Sequence, residues 1–92
     1  MLVHTLISAR LQLQGRTVAD FHRDMVARGF LGSKQAVYQW VSAATCPSAC
    51  WWSEVADSLG VDVQDVALAR HGLLTPARAL ALATTTKPGE AV

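Results

Sequence analysis

"SKQAVYQWVSAATCPSACW", residues 33–51, decides how the chain is read. A polar, small-residue run (Ser33, Lys34, Gln35, Ala36) leads into Val37 and Trp40, three residues apart. Ser33 is a good N-cap, and Lys34 to Val41 follows as a helix. On that helix Val37 and Trp40 share a face, while Lys34, Gln35, Tyr38 and Gln39 are offered outward. A helix that only completes a core does not need that outward set. A helix that meets the hydrogen-bonding edges of another molecule does. After it, "SAATCPS" reads as a loop, and Pro47 precedes a second apolar run.

Working outward, the chain shows five or six short helices and no convincing strand, so an all-α fold is expected. Val3 to Gln14 carries Leu6, Ile7, Leu11 and Gln14 on related faces, with Gly15 at the C-cap. Thr17 caps the next helix, with Asp20 three residues on as a capping-box partner. That helix holds Val18, Phe21, Met25 and Val26 and ends near Gly29. In the turn "RGFLGS", Phe30 and Leu31 are read as buried plugs. Ser48 is expected to cap a fourth helix with Trp52, Val55, Ala56 and Leu59 inward, stopped by Gly60. Asp62 caps a fifth, closed by Gly72. Thr75 and Pro76 start a last segment with Leu80 as its anchor. The division that results is a body over 1–72, a helical segment over 73–85 suited to dimerisation, and a flexible tail over 86–92.

Ninety-two residues support one modest core, and 51% hydrophobic with 16% charged residues marks a globular chain. No apolar run approaches the ~20 residues of a membrane span. "MLVHTLISARL" has the spacing of an amphipathic helix and not of a signal peptide, so a cytoplasmic location is expected and no membrane partner. The net charge of +1 hides a polarity. Residues 1–42 carry +3 (Arg10, Arg16, Arg23, Arg28, Lys34 against Asp20 and Asp24), residues 43–69 carry −4, and residues 70–92 carry +2. A polyanion would meet the first part and avoid the middle.

Other chemistries find little support. Cys46 and Cys50 have no histidine in ligand spacing near them, so no metal is expected and the thiols are read as free and partly buried. His22 is read as a packing histidine. No nucleophile, base and orienting group assemble, and no Gly-rich phosphate loop is present; neither an enzyme nor a cofactor is expected.

The helix 34–41 suits the major groove of B-DNA, about 12 Å wide, which admits one α-helix. Val37 and Trp40 would hold it to the body. Gln35 and Gln39 can pair with adenine, Lys34 adds a donor, Ala36 can touch a thymine methyl, and Ser33 and Tyr38 suit phosphate oxygens.

"SKQAVYQWVSA", then "CPS", then "WWSEVADSLGV" resembles the Cro/lambda-repressor-like (Xre) family over about residues 3–70. Pro47, Ser48, Ala56, Leu59, Gly60 and Val61 stand at the family's usual offsets, and "GRT" at 15–17 resembles its entry to helix two. The resemblance implies a five- or six-helix helix-turn-helix domain that binds double-stranded operator DNA as a homodimer and regulates transcription as a repressor. Phage, mobile-element and bacterial host regulators look alike at this level, as do antitoxins. Ser42 and Thr45 join the DNA-binding set on this reading. There are two departures. "VARGFLGS" makes the second helix and turn about five residues longer than the family's. Val18 replaces a Gln that commonly touches phosphate, so that contact falls to Arg16, Thr17 or a backbone amide.

Trp51 and Trp52 are adjacent and cannot both face one core. The periodicity turns Trp52 inward and leaves Trp51 outward or lateral. Trp51 then either meets a partner or folds over the 43–47 loop or over Leu73 and Leu74. Dimerisation is expected after residue 61, through Leu73, Leu74 and Leu80, with Trp51 a second candidate. The rival reading is a helix-turn-helix that docks on another protein, as an anti-repressor or assembly adaptor would.

Overall fold

Capping chemistry divides the chain into its elements. In the structure, a computed structural model describing residues 1–85, six α-helices follow one another: α1 (Val3–Gln14), α2 (Val18–Ala27), α3 (Lys34–Val41), α4 (Trp52–Leu59), α5 (Val63–Arg70) and α6 (Pro76–Thr84). A 3-10 turn, Ala49–Trp51, leads into α4. No strand occurs among the described residues, so the fold is all-α. The tail read at 86–92 lies outside the described residues.

The expected caps are in place at α1 and α2. The Thr17 hydroxyl accepts from the Asp20 amide at 3.1 Å, and the Thr17 amide donates to the Asp20 carboxylate at 3.0 Å. Gly15 adopts the left-handed conformation (φ 65°) that lets the Arg16 amide close on the Leu11 carbonyl at 2.9 Å. Ala43 occupies a left-handed position after α3 (φ 68°), the one non-glycine with positive φ among the described residues.

The core is built around α1, which packs on α3, α4, α5 and α6. Its face of Val3, Leu6, Ile7 and Leu11 shares one core cluster with Phe21 and Met25 of α2, Val37 and Trp40 of α3, Val55, Ala56 and Leu59 of α4, Val66 and Ala69 of α5, and with Phe30, Leu74 and Leu82. Arg10 lies on that same face and is fully buried. Its Nε donates to the Leu59 carbonyl at 3.0 Å, and its Nη1 donates to the carbonyls of Leu82, at 3.0 Å, and of Thr85. Leu59 and Leu82 stand in the last turns of α4 and α6, and Thr85 is the C-cap of α6. Burial, and then the proximity of Arg78, push the Arg10 pKa below its ordinary value, with Asp65 acting the other way. Arg78 itself grips Asp65 with two bonds, at 3.0 and 2.7 Å, that tie α6 to α5.

A second polar network joins α1, α2 and α4. Gln14 Nε2 donates to the Leu59 carbonyl at 2.8 Å. Arg16 Nη1 donates to the Ser58 carbonyl at 2.7 Å, and its Nη2 to the Ser58 hydroxyl at 3.1 Å. That hydroxyl donates to Asp24, which also pairs with Arg28 at 3.3 Å and Arg16 at 3.4 Å. The Ser58 hydrogen bond, more than Arg28 and Arg16, holds the Asp24 carboxyl below its usual range against the opposing effect of burial.

Several positions depart from expectation. Leu31 is 94% exposed, because the Phe30 ring alone fills the slot behind the turn. In α6 Leu82 is buried and Leu80 is 64% exposed: residues two apart lie on opposite sides of a helix, and only one can face the body. Leu74 is core, which removes it from any outer seam. The Ser48 side chain makes no cap hydrogen bond, and a 3-10 turn stands between it and α4. Trp52 is half-buried and packs against the core, its indole N–H donating to the Pro47 carbonyl at 3.1 Å. Cys46 and Cys50 are free, as read, but exposed.

Arg10→Met keeps the bulk and removes the guanidinium donors of the Leu82 and Thr85 carbonyls, leaving the Leu59 carbonyl to Gln14. It is expected to lower the unfolding free energy by about 3 kcal/mol or more, measured by urea titration; an unchanged midpoint would contradict the role given to Arg10. Asp24, with its lowered folded pKa, contributes stability above the ordinary carboxylate range and loses it as pH falls through the folded value. Urea midpoints recorded from pH 7 downward should therefore fall less steeply in Asp24→Asn than in the parent; parallel profiles would exclude Asp24 as a source of acid lability.

Candidate nucleic-acid interface

The helix α3 is seated by aromatic rings. Trp40 lies 5.1 Å, centroid to centroid, from Phe30 and 6.5 Å, edge-on, from Phe21. Phe30 also receives Trp51 edge-on at 5.2 Å and His22 at 6.4 Å. Such pairs add about 0.5–1.5 kcal/mol each beyond the area they bury. The link from α2 to α3 closes over this cluster. His22 Nε2–H donates to the Gly32 carbonyl at 3.1 Å. A side chain at Gly32 has no room, since its Cβ would stand 2.2 Å from the tip of the Phe30 ring. The extra residues of the link thus form a packed turn around one phenylalanine. Trp51, left between partner and body by the sequence, is half-buried and packs against the core, edge-on to Phe30.

With its back held by Val37 and Trp40, α3 presents a polar outer face. Ser33 caps it, accepting from the Ala36 amide at 3.3 Å. Lys34, Gln35, Tyr38 and Ser42 are exposed and Gln39 is half-exposed, so these five form one continuous stripe at helical spacing. Ala36 is packed partly against the core at the edge of the stripe. Ser42 Oγ–H donates back to the Gln39 carbonyl at 3.2 Å. That same carbonyl accepts the amides of Ala44 at 3.0 Å and Thr45 at 3.3 Å, which turns the exposed Thr45 back along the end of α3.

The electrostatics of the site are more modest than the sequence suggests. Of the five cations of residues 1–42, Arg10 is buried, and Arg16 and Arg28 are engaged with Asp24. Arg16, a candidate for phosphate, is held by Ser58 and Gln14 instead; Thr17 keeps an exposed position at the start of α2. Lys34 has no ion pair among the described residues. Arg23 is 78% exposed beside Asp20 at 3.5 Å. Sequence reasoning left Arg23 out, although its outward position on α2 follows from the inward phase of Phe21 and Met25.

Away from this face, Leu73 and Leu80 remain exposed and Leu74 and Trp51 do not, so half of the expected partner seam survives as surface. No group of three or more His, Cys, Asp or Glu that could hold a metal occurs among the described residues. No helix among them is long and apolar enough to cross a membrane. No family model, curated protein or solved structure matches the chain.

Phe30→Ala removes the ring on which the link, α3 and Trp51 all rest. It should cost about 3–5 kcal/mol in urea unfolding. Gly32→Ala should cost about 1–3 kcal/mol through the displaced ring. Wild-type stability in both variants would show that α3 is seated by something else.

Proposed function

We propose that the chain is a sequence-specific double-stranded DNA-binding regulator of the Cro/lambda-repressor-like helix-turn-helix type, with α2 and α3 as the motif and α3 in the major groove. The observation that carries this reading is the α3 stripe: Lys34, Gln35, Tyr38, Gln39 and Ser42 exposed on one side, Val37 and Trp40 fixed on the other. An immobilised helix with an amide-rich outer face meets the requirements of base reading. Its backbone is positioned before contact, so little conformational entropy is lost on binding. Gln35 and Gln39 have the donor–acceptor pair that matches adenine N6 and N7. Ser33 and Thr45, at either end of the helix, suit phosphate oxygens, and Thr17 suits the backbone at the start of α2. Two copies would read half-sites about one turn, ~34 Å, apart. The exposed leucines Leu73 and Leu80 are the surfaces available for that pairing. Occupancy of an operator represses by blocking polymerase or acts by recruiting a partner, in the cytoplasm.

The second reading, a helix-turn-helix that docks on protein, is favoured by one observation: most cations of the first half are used inside the fold. Trp51, half-buried against Phe30, does not favour it. Salt separates the two readings, because phosphate neutralisation weakens steeply with salt and an apolar protein contact does not.

Selection from random-sequence duplexes at near-physiological salt tests the proposal. The parent protein should enrich a two-fold-symmetric motif, and Gln35→Ala should enrich one with relaxed preference at a single position of each half-site. The discrimination lost there should be of the order of 1–3 kcal/mol. The same motif from both proteins would remove Gln35 from base reading, and no motif from the parent would remove the regulator.

A further inference from the structure

The outward side of α2 carries a feature that the α3 stripe does not include. Ala19, His22, Arg23 and Val26 recur there at helical spacing and, with Lys34 from the first turn of α3, line an open depression. Its lining brings cations from two separate helices, Arg23 and Lys34, together with the apolar Ala19 and Val26, the latter 48% exposed. It adjoins the α3 stripe through Lys34, a member of both.

The other cations are placed elsewhere. Arg10 is buried, Arg16 and Arg28 are bound to Asp24, and Arg78 is bound to Asp65. Arg70 lines a different cleft, with Leu2, His4 and Thr45. Lys87 lies outside the described residues. Arg23 and Lys34 are therefore the two cations that the fold brings to one depression beside the α3 face. The pair of Arg23 with Asp20 is exposed at 78% and 40%, so it is weak and yields readily to a competing anion. Cations beside apolar methyl groups match a sugar–phosphate strand, whose charged oxygens alternate with apolar sugar edges.

We propose that this depression seats the backbone of one DNA strand, with Arg23 and Lys34 as the phosphate-neutralising side chains. The inference rests on the DNA-binding reading above and extends the contact from α3 to the outer side of α2. It also assigns Arg16 and Arg28 to the fold and not to the ligand.

Each phosphate neutralised by a protein cation contributes about 0.9 to the slope of log affinity against log salt. The test is a titration of a short mixed-sequence duplex, followed by fluorescence anisotropy between about 50 and 200 mM salt. Parent, Arg23→Gln, Lys34→Gln and Arg28→Gln are compared, with thermal unfolding run on each to show that it is folded. Arg23→Gln and Lys34→Gln should each flatten the slope by about 0.9 per bound protomer. Arg28→Gln, although it loses stability, should keep the parental slope. A parent that binds with a steep slope left unchanged by Arg23→Gln would overturn the seat while the DNA-binding reading stands. A parent with no salt-dependent binding to duplex would overturn both.

Discussion

A single buried guanidinium holds the two ends of this fold together. Arg10 stands in the middle of α1 and is fully enclosed, yet its donors meet carbonyls from residues 59, 82 and 85. A buried cation without partners would be untenable; here the acceptors stand at the electronegative C-terminal ends of two helices. The packing of Leu59 and Leu82 on α1 follows from the same geometry, because a carbonyl cannot reach Arg10 unless its residue lies against α1. In this way α4 and α6, far apart in sequence, are fixed relative to the helix that also supports α3.

The second constraint is aromatic and local. Phe30 is touched by Trp40, Trp51 and His22, and the absence of a side chain at Gly32 lets its ring lie where it does. The link between α2 and α3 is thereby turned from a loop into part of the core. That matters for a helix with an outward polar stripe, because the position of Gln35 and Gln39 relative to the body is set by how firmly Val37 and Trp40 are held. Polar and apolar forces divide the work: Arg10 and the Asp24 network place α1, α2 and α4, and the rings place α3 upon them.

Much of this is readable from the chain. The bounds of α1 and α3 follow from Gly15 and Ser33, and the start of α2 from Thr17 and Asp20, because caps are local chemistry. The stripe of α3 follows from its period. The features that escape a sequence reading depend on contacts across long separations. Arg10 looks like a polar interruption of an apolar run, although Val3, Leu6, Ile7, Arg10 and Leu11 share the spacing of one buried face. That spacing is the available signal; nothing local announces that carbonyls from α4 and α6 converge on it. Periodicity turns Trp52 toward the core with Val55, Ala56 and Leu59, but it does not show that Trp51, in the 3-10 turn before α4, also packs against the core through Phe30. Leu80 and Leu82 are equivalent to any local rule, and only the docking of α6 on α1 chooses between them. The surplus positive charge of residues 1–42 is real, but a count does not tell which arginines face inward.

Ala43 carries a consequence of a different kind. A left-handed alanine costs about 1–2 kcal/mol relative to an unstrained backbone, and glycine would relieve that cost. Glycine would also enlarge the ensemble of the unfolded chain, by about 0.4–1 kcal/mol, which offsets only part of that relief. The methyl group is thus kept at a small net cost, and it acts on motion as well as on energy. It narrows the conformations open to the segment leaving α3, where the Gln39 carbonyl gathers the amides of Ala44 and Thr45. Thr45 moves with the last turn of the helix as one stiff unit, and whatever surface α3 meets is met by both at once.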